Sequence, residues 1–188
     1  MVQYTISVTD KSEFTIGATT DSNTASNTVS EGASDNAEVG ITATATDDDD
    51  GDSVTYTMQT TTASCDGWFD IGSSDGIVRV DGSSELDYET VTACVISVTS
   101  TSTDTSTSTE DFTITLTDVN EHAVTSPTDT DTDENTLAEN VANGASAEIT
   151  ASASDSDGTD NTVTYGIASQ TCTGCLLYTS PSPRDPRE

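Results

Sequence analysis

The chain has 188 residues, and its 34 acidic residues against four basic ones give a formal net charge of −30. This charge excludes the basic surface with which nucleic-acid-binding proteins contact phosphates, and it argues against docking on anionic membranes. A compact fold of this charge repels itself, so that cations held among its carboxylates would stabilise it. No stretch of the sequence is long and apolar enough to predict a transmembrane helix.

The first predicted element is a strand. From Val2 to Val8 apolar side chains alternate with polar ones, which is the period of a half-buried strand. A chain this acidic and this poor in aromatic residues could instead be disordered, but the same alternation returns along the sequence and favours a folded β protein. No signal peptide is visible at the N-terminus.

The sequence repeats itself at a spacing of 108 residues. Segments 9–13, 27–31 and 41–47 match 117–121, 135–139 and 149–155, and 54–56 matches 163–165 after a one-residue change in loop length. We therefore divide the chain into the last strand of one repeat (1–13), a complete repeat (14–121) and the first half of a third (122–174). A repeat of this length suits a small independent domain.

Inside the complete repeat the apolar side chains keep a period of two. The predicted inward positions are, in chain order, Val39, Ile41, Ala43 and Ala45; Val54, Tyr56 and Met58; Phe69 and Ile71; Val78 and Val80; Cys94, Ile96 and Val98; and Phe112, Ile114 and Leu116. Strands this short and numerous predict an all-β, seven-stranded Greek-key β-sandwich. The Thr/Ser run 99–109 has no inward apolar residue at its centre, which predicts a long hairpin loop.

Two pairs of side chains leave alternatives open. Strand parity places Phe69 in the core and turns Trp68 outward, either as a sugar- or partner-binding residue or as a plain edge residue. Cys65 and Cys94 are the two cysteines of the complete repeat. A disulfide between them would suit an extracellular protein, and free buried thiols are the alternative.

Acidic motifs recur in a fixed order along the chain. They are Val29-Ser30-Glu31, Asp47-Asp48-Asp49, Leu86-Asp87-Tyr88-Glu89, Asp118-Val119-Asn120-Glu121 and Asp155-Ser156-Asp157. In order and spacing they resemble the motifs of cadherin repeats, in the form found in large bacterial surface proteins, and the resemblance covers residues 1–174. It implies immunoglobulin-like sandwiches in tandem, with calcium bound at the joints between repeats.

The resemblance also implies which residues bind calcium. At the complete joint they would be Glu31, Asp87, Glu89, Asp118, Asn120, Glu121, Asp155 and Asp157, and at the preceding joint Asp10, Glu13, Asp47 and Asp49. Calcium takes about six to eight oxygen ligands, more than one short segment offers, so loops must converge on it. Glu121, His122 and Ser102 depart from the family pattern, and we expect two ions per joint rather than three.

Enzymatic chemistry is not expected, because His122 is the only histidine and lies in the linker motif. The resemblance implies a calcium-rigidified spacer in cell adhesion, located in an extracellular cell-surface protein. Its partners would be neighbouring repeats of the same chain, with other surface proteins or glycans as further candidates. The alternatives are an accessory β-sandwich of a secreted carbohydrate-binding protein or enzyme, and a structural sandwich that binds no specific ion.

The last residues differ abruptly in composition from the rest. The run from Cys175 to Asp185 matches the in-frame translation of a transposase-based sequencing-library adapter, so we exclude residues 175–188 from the functional interpretation. The C-x-x-C motif formed by Cys172 and Cys175 would then be an accident of the junction rather than a redox or metal site.

Overall fold

The computed structural model describes residues 1–9, 11–82 and 86–169. Asp10, the C-x-x-C motif and the adapter-like tail lie outside the described residues. The chain divides into two compact units between Val119 and Asn120. Within the described residues no helix has the length and apolarity that a membrane span needs.

The first unit is a β-sandwich of two four-stranded sheets. Its strands are β1 (Thr20–Asp21), β2 (Thr28–Ser30), β3 (Glu38–Thr44), β4 (Val54–Thr60), β5 (Phe69–Ile71), β6 (Ile77–Val80), β7 (Ala93–Ser102) and β8 (Thr107–Thr117). One sheet has the order β1-β3-β6-β5 and the other β2-β8-β7-β4. The all-β sandwich predicted from the sequence is confirmed. Eight strand segments are present rather than about seven, because the segment 20–30 contributes β1 to one sheet and β2 to the other.

The core follows the predicted alternation. Val39, Ile41, Val78, Ile96 and Ile114 are almost fully buried between the sheets. The outward positions of β7 and β8 carry mainly threonine, whose branched polar side chain suits an exposed strand face. All strand pairs within this unit are antiparallel except β2 with β8, which run parallel with Val29 opposite Leu116.

The long loop predicted over 99–109 is wrong. β7 and β8 continue through this run as a hairpin whose strand pairing extends to Thr101 and Thr107. Its inward positions are the buried Ser100 and Ser102, so the strand geometry continues where the apolar pattern stops. Ser100 is satisfied there, because the Thr19 hydroxyl donates to its Oγ at 2.8 Å.

The outward orientation predicted for Trp68 is also wrong. Trp68 and Phe69 are both buried. Trp68 precedes the first residue of β5, so strand parity does not apply to it. The backbone N–H of Trp68 donates to the Cys65 carbonyl at 3.1 Å, and the Trp68 backbone carbonyl accepts from the Asp81 N–H at 2.9 Å. These bonds fix the backbone at Trp68, and its side chain is part of the buried core cluster.

A disulfide joins Cys65 and Cys94, so the alternative of free thiols is excluded. Cys65 ends a 3₁₀ turn, Ala63–Cys65, and Cys94 lies near the start of β7. Both residues are fully buried. The bridge therefore ties the connection between β4 and β5 to the long hairpin from inside the core.

Gly40 marks an irregularity in β3, where the pairing with β6 shifts register. Its φ of 86° lies in the left-handed region that favours glycine. A Cβ at this position would also meet the backbone of Ser26. The glycine is thus required both by its dihedral angle and by the close approach of a neighbouring segment.

The second unit, described up to residue 169, has two short antiparallel strands, β9 (Thr128–Asp129) and β10 (Ala151–Ser152). Its hydrogen bonds repeat those of the first unit. The bonds Gly17 N to Thr46 O, Thr42 N to Asp21 Oδ1 and Ala45 N to Tyr56 Oη recur as Thr125 N to Ser154 O, Thr150 N to Asp129 Oδ1 and Ala153 N to Tyr165 Oη. The spacing of 108 residues is therefore visible in backbone structure as well as in sequence.

Residues 1–9 are not in a strand, contrary to the pattern from Val2 to Val8. Their side chains are exposed, including Tyr4 and Ile6. A strand needs a neighbour to satisfy its backbone N–H and C=O groups, and within the described residues none pairs with this segment.

Candidate metal centre

Three carboxylates of the first unit meet at the end of β8. Glu31 follows β2 directly, Asp118 follows β8, and Glu89 comes from the loop after residue 85. Carboxylate oxygens of the three residues lie within 4.8 Å of one another. The parallel pairing of β2 with β8 explains why Glu31 and Asp118 meet, since each residue directly follows its strand and the two strands finish at the same end of the sheet.

Glu31 is held firmly within this cluster. Its Oε1 accepts the N–H of Val119 and its Oε2 accepts the N–H of Tyr88, each at 2.6 Å. The residue is buried, and a carboxylate that accepts backbone N–H groups makes hydrogen bonds about twice as strong as those between neutral groups. Glu31 therefore joins the 86–90 loop to the chain that leaves the sandwich.

Asp87 lies in the same loop but serves a local turn. Its carboxylate accepts the N–H of Thr90 at 2.8 Å and the Thr90 hydroxyl at 2.7 Å. These contacts fix the loop that presents Glu89. The structure thus brings oxygens of Glu31, Glu89 and Asp118 together. Asp87 lies in the same loop as Glu89, but its carboxylate is not part of this group.

A second cluster lies in the loop between β3 and β4, at the opposite end of the sandwich. Oxygens of Asp47, Asp49 and Asp52 approach within 4.8 Å of one another. Asp49 is buried and its two oxygens accept the N–H groups of Glu13 and Phe14, at 3.0 and 2.9 Å. Glu13 thus contributes its backbone to this end, while its side chain is exposed.

The second unit repeats this arrangement. Asp157 is buried, and its Oδ1 accepts the N–H groups of Glu121 and His122 at 3.1 and 3.3 Å. Asp155 accepts the N–H of Asp157 at 3.4 Å, as Asp47 does from Asp49. Asn120 and Glu121 have exposed side chains.

The donor set of these clusters fits a hard divalent cation. Carboxylate oxygens are the ligands that calcium prefers, and they need not adopt one rigid geometry. Asp47 Oδ2 and Asp157 Oδ2 are buried and accept no hydrogen bond from the described residues. Such an atom loses its hydration without a replacement partner, and a bound cation would supply one.

Sequence reasoning missed two acidic contributions. Asp52 joins the Asp47 cluster although it lies outside the aligned motif, and only its place in the same short loop could have indicated it. A further group, Asp131, Asp133 and Glu148, forms in the second unit from two separate segments. Glu148 lies 15 residues after Asp133, so no short motif could have indicated this group.

Shifted pKa values lie outside the predicted ligand set. A hydrogen bond from Arg79 lowers the pKa of Asp75, with Arg79 Nη2 at 2.9 Å from Asp75 Oδ2. Bonds from Ser106 lower the pKa of Asp104 in the β7–β8 turn. Backbone N–H groups of Thr150 and Asp131 lower the pKa of Asp129. These carboxylates stabilise nearby turns and strands through hydrogen bonds.

No family model and no curated protein matches the sequence. Several solved structures do. Four repeats of Drosophila N-cadherin (EC1-4) match with a TM-score of 0.56 and 26% identity over 70% of this chain and 31% of that one. Mouse Cadherin-23 EC22-24 matches with 0.57 and 21% over 79% and 46%, and human Protocadherin-24 EC1-2 with 0.52 and 23% over 76% and 62%. The fold is that of cadherin extracellular repeats.

The cadherin-like resemblance predicted from the motifs is therefore confirmed for the fold. The chain spans less than two thirds of the length of each of these solved structures. The assignment to large bacterial surface proteins remains a prediction.

Proposed function

We propose that this chain is a non-enzymatic, calcium-binding part of an extracellular cell-surface protein, in which cadherin-like repeats act as a spacer in cell adhesion. The observation that carries the proposal is the pair of carboxylate clusters at the two ends of one sandwich, one around Glu31 and one around Asp49. Clusters at both ends are what a tandem array needs, because each repeat then offers ligands to the repeat before it and the repeat after it.

The proposed ligand set at the later end is Glu31, Asp87, Glu89 and Asp118 from the complete repeat, together with Asn120, Glu121, Asp155 and Asp157. At the earlier end it is Asp10, Glu13, Asp47 and Asp49, to which we add Asp52. Without calcium, carboxylates this close repel one another, at about 1 kcal/mol per pair in water and several times more at a protein-surface dielectric. Calcium removes that repulsion and ties loops together, which would stiffen the array into a rod.

The calcium proposal predicts a large change in thermal stability. A ligand present at about 100 times its dissociation constant adds about 2.7 kcal/mol per site. For a domain of this size each kcal/mol raises Tm by about 4–8 °C. We therefore expect calcium to raise the Tm of the chain by about 10–20 °C relative to chelator, and magnesium to raise it much less.

The matched variants are Asp118→Ala, within the cluster, and Glu110→Ala, an exposed acid of β8 outside it. Both remove one negative charge, but only Asp118→Ala should reduce the calcium-dependent shift. An unchanged Tm in calcium for the parent chain would sink the calcium proposal. Small-angle X-ray scattering in calcium and in chelator then tests the spacer role. A rigid spacer requires calcium to increase the maximum dimension of the chain.

The alternative of an accessory carbohydrate-binding sandwich loses its main support. Glycan binding through an outward Trp68 would have favoured it, and Trp68 is buried in the core.

A further inference from the structure

The disulfide of the first unit is closed off from solvent. Cys65 and Cys94 are both 0% exposed, and both belong to the core cluster of the sandwich. Thiol–disulfide exchange needs direct contact between the attacking thiolate and one of the two sulfurs. A thiol in solution can therefore reduce this bridge only after part of the first unit has opened.

On the Cys65 side, the connection that carries the bridge is bonded to β7. Thr61 N and Thr62 N donate to the Val95 carbonyl at 2.9 and 3.4 Å, and Val95 N donates to the Thr62 hydroxyl at 3.0 Å. Val95 directly follows Cys94, so backbone hydrogen bonds hold the two sides of the bridge together as well. An opening on this side has to break all of these contacts.

On the other side, the bridge lies close to the end of a strand. Cys94 is the second residue of β7 and lies opposite Ile114 of β8. The chain just before it is bonded to β8, because Leu116 N donates to the Thr92 carbonyl at 2.9 Å. Local opening in proteins begins where few contacts have to be broken. The opening that exposes Cys94 most easily therefore releases segment 86–94 and leaves the rest of β7 paired.

Segment 86–94 also supplies one member of the carboxylate cluster at this end of the sandwich. Glu89 lies in the segment, and its carboxylate approaches those of Glu31 and Asp118 within 4.8 Å. The neighbouring Tyr88 N–H donates to Glu31 at 2.6 Å. Opening the segment moves Glu89 away from the other two carboxylates, so the complete cluster exists only while the segment is closed. A ligand that binds one of two states stabilises that state alone.

We propose that the Cys65–Cys94 disulfide is a redox switch and that segment 86–94 is its gate. Glu31, Glu89 and Asp118 hold the gate closed through the calcium ion that they bind, so the inference rests on the function proposed above. Calcium at about 100 times its dissociation constant lowers the population of the open segment about 100-fold. The rate of reduction falls by the same factor, because reduction proceeds through the open segment.

The reaction of the switch is exchange with a small-molecule thiol. One thiolate attacks Cys65 or Cys94, a mixed disulfide forms, and the other cysteine leaves as a thiolate. A second thiolate then attacks the mixed disulfide. Two thiols of the small molecule thus end as its disulfide, and their two electrons and two protons end on the cysteines as two thiols. Loss of calcium and loss of the bridge act in sequence, since the first exposes the sulfurs for the second.

The test is the rate at which dithiothreitol reduces the full chain in calcium and in chelator. The background carries Cys172→Ser and Cys175→Ser, so that every new thiol comes from the bridge. Samples are alkylated at intervals, and the intact mass gives the number of alkyl groups added. We expect reduction to be about 100 times slower in calcium, at about 100 times its dissociation constant, than in chelator.

Two matched variants show whether the cluster controls the gate. Glu89→Gln should remove most of the difference between calcium and chelator. Glu110→Gln removes the same charge from β8 outside the cluster and should keep the difference. Both side chains are exposed, so the core that surrounds the bridge stays intact in each variant, as fluorescence of the buried Trp68 reports. A calcium effect that survives Glu89→Gln unchanged overturns the proposal.

Urea separates a local gate from unfolding of the whole unit. Opening a short segment exposes little surface, so the logarithm of the reduction rate should rise with urea much less steeply than global unfolding does. A slope equal to the m-value of global unfolding overturns the gate. The Tm of the same samples separates the two proposals: a Tm that rises in calcium with an unchanged reduction rate refutes the gate and leaves calcium binding standing, whereas no change in either refutes both.

Discussion

The substitution Glu31→Gln separates two effects that act on the same carboxylate. Glutamine keeps the shape of the side chain but offers one acceptor oxygen where glutamate offers two. The two bonds from Tyr88 and Val119, both at 2.6 Å, are charge-assisted, and each contributes about 1.5–3 kcal/mol. Losing one of them and weakening the other costs about 3 kcal/mol.

The opposing effect is relief of repulsion. Glu31 has two carboxylate neighbours, Glu89 and Asp118, within 4.8 Å, and each pair repels by about 1 kcal/mol at the dielectric of water. The exposed position of Glu89 keeps the effective dielectric high. In chelator we therefore expect Glu31→Gln to lower the free energy of unfolding by only about 1–2 kcal/mol.

Calcium changes this balance, because a bound ion already offsets the repulsion and the substitution then removes a ligand as well. We expect the loss in calcium to rise to about 3–4 kcal/mol. The assay is chemical denaturation followed by Trp68 fluorescence, in calcium and in chelator, with Glu110→Gln as the matched control. Equal losses of unfolding free energy in calcium and in chelator would show that Glu31 is not a calcium ligand. A gain of stability in chelator would show that carboxylate repulsion outweighs the hydrogen bonds of Glu31.

Three further outcomes follow from the fold. Replacing Cys65 and Cys94 by alanine removes a cross-link between residues 29 apart in sequence. Loop-closure entropy alone then predicts that the free energy of unfolding falls by about 3.5 kcal/mol. Calorimetry measures this loss, and an unchanged Tm would contradict it. Gly51→Ala should cost about 1–3 kcal/mol, because alanine must adopt a left-handed φ there and its Cβ would meet nothing. Gly40→Ala should cost more in the same denaturation assay, because its Cβ would also meet the Ser26 backbone, and equal losses for the two variants would contradict this. Arg79→Gln should raise the pKa of Asp75 toward its ordinary value of 3.8, as followed by carboxyl NMR. Since the folded pKa is lowered, the stability from this pair is present above the unfolded pKa and is lost as pH falls through the folded one.

The fold could be predicted from the sequence wherever apolar residues mark the inner face. Ile96 and Val98 indicate the inner face of β7, but the strand continues through Ser100 and Ser102, which carry no apolar signal. The Thr19 hydroxyl makes the inward Ser100 tolerable, and a contact between residues so distant in sequence cannot be predicted from the local pattern. Trp68 was misplaced for a related reason, since parity holds only inside a strand.

The carboxylate clusters could likewise be predicted only in part. The resemblance to cadherin motifs implied that Glu31, Asp87, Glu89 and Asp118 would act together. The structure groups the carboxylate oxygens of Glu31, Glu89 and Asp118 and leaves Asp87 outside this group, and calcium binding by these residues stays a prediction. The backbone contribution of Glu13 could not be predicted, because a motif identifies side chains and the N–H group carries no sequence signature. Asp52 was missed because its membership depends on how the 47–52 loop turns back on itself, which is set by the loop's path rather than by its spacing.

The parallel pairing of β2 with β8 has a mechanical consequence. β8 leads into the chain that leaves the sandwich, whereas β2 follows closely on the chain that enters it. Tension applied through the two ends of the repeat would pull these neighbouring strands past each other along their length. Their hydrogen bonds would then be loaded together in shear, and not one after another as in peeling. A repeat held this way resists extension through the height of its unfolding barrier rather than through its equilibrium stability, which is the property that a tether under flow requires.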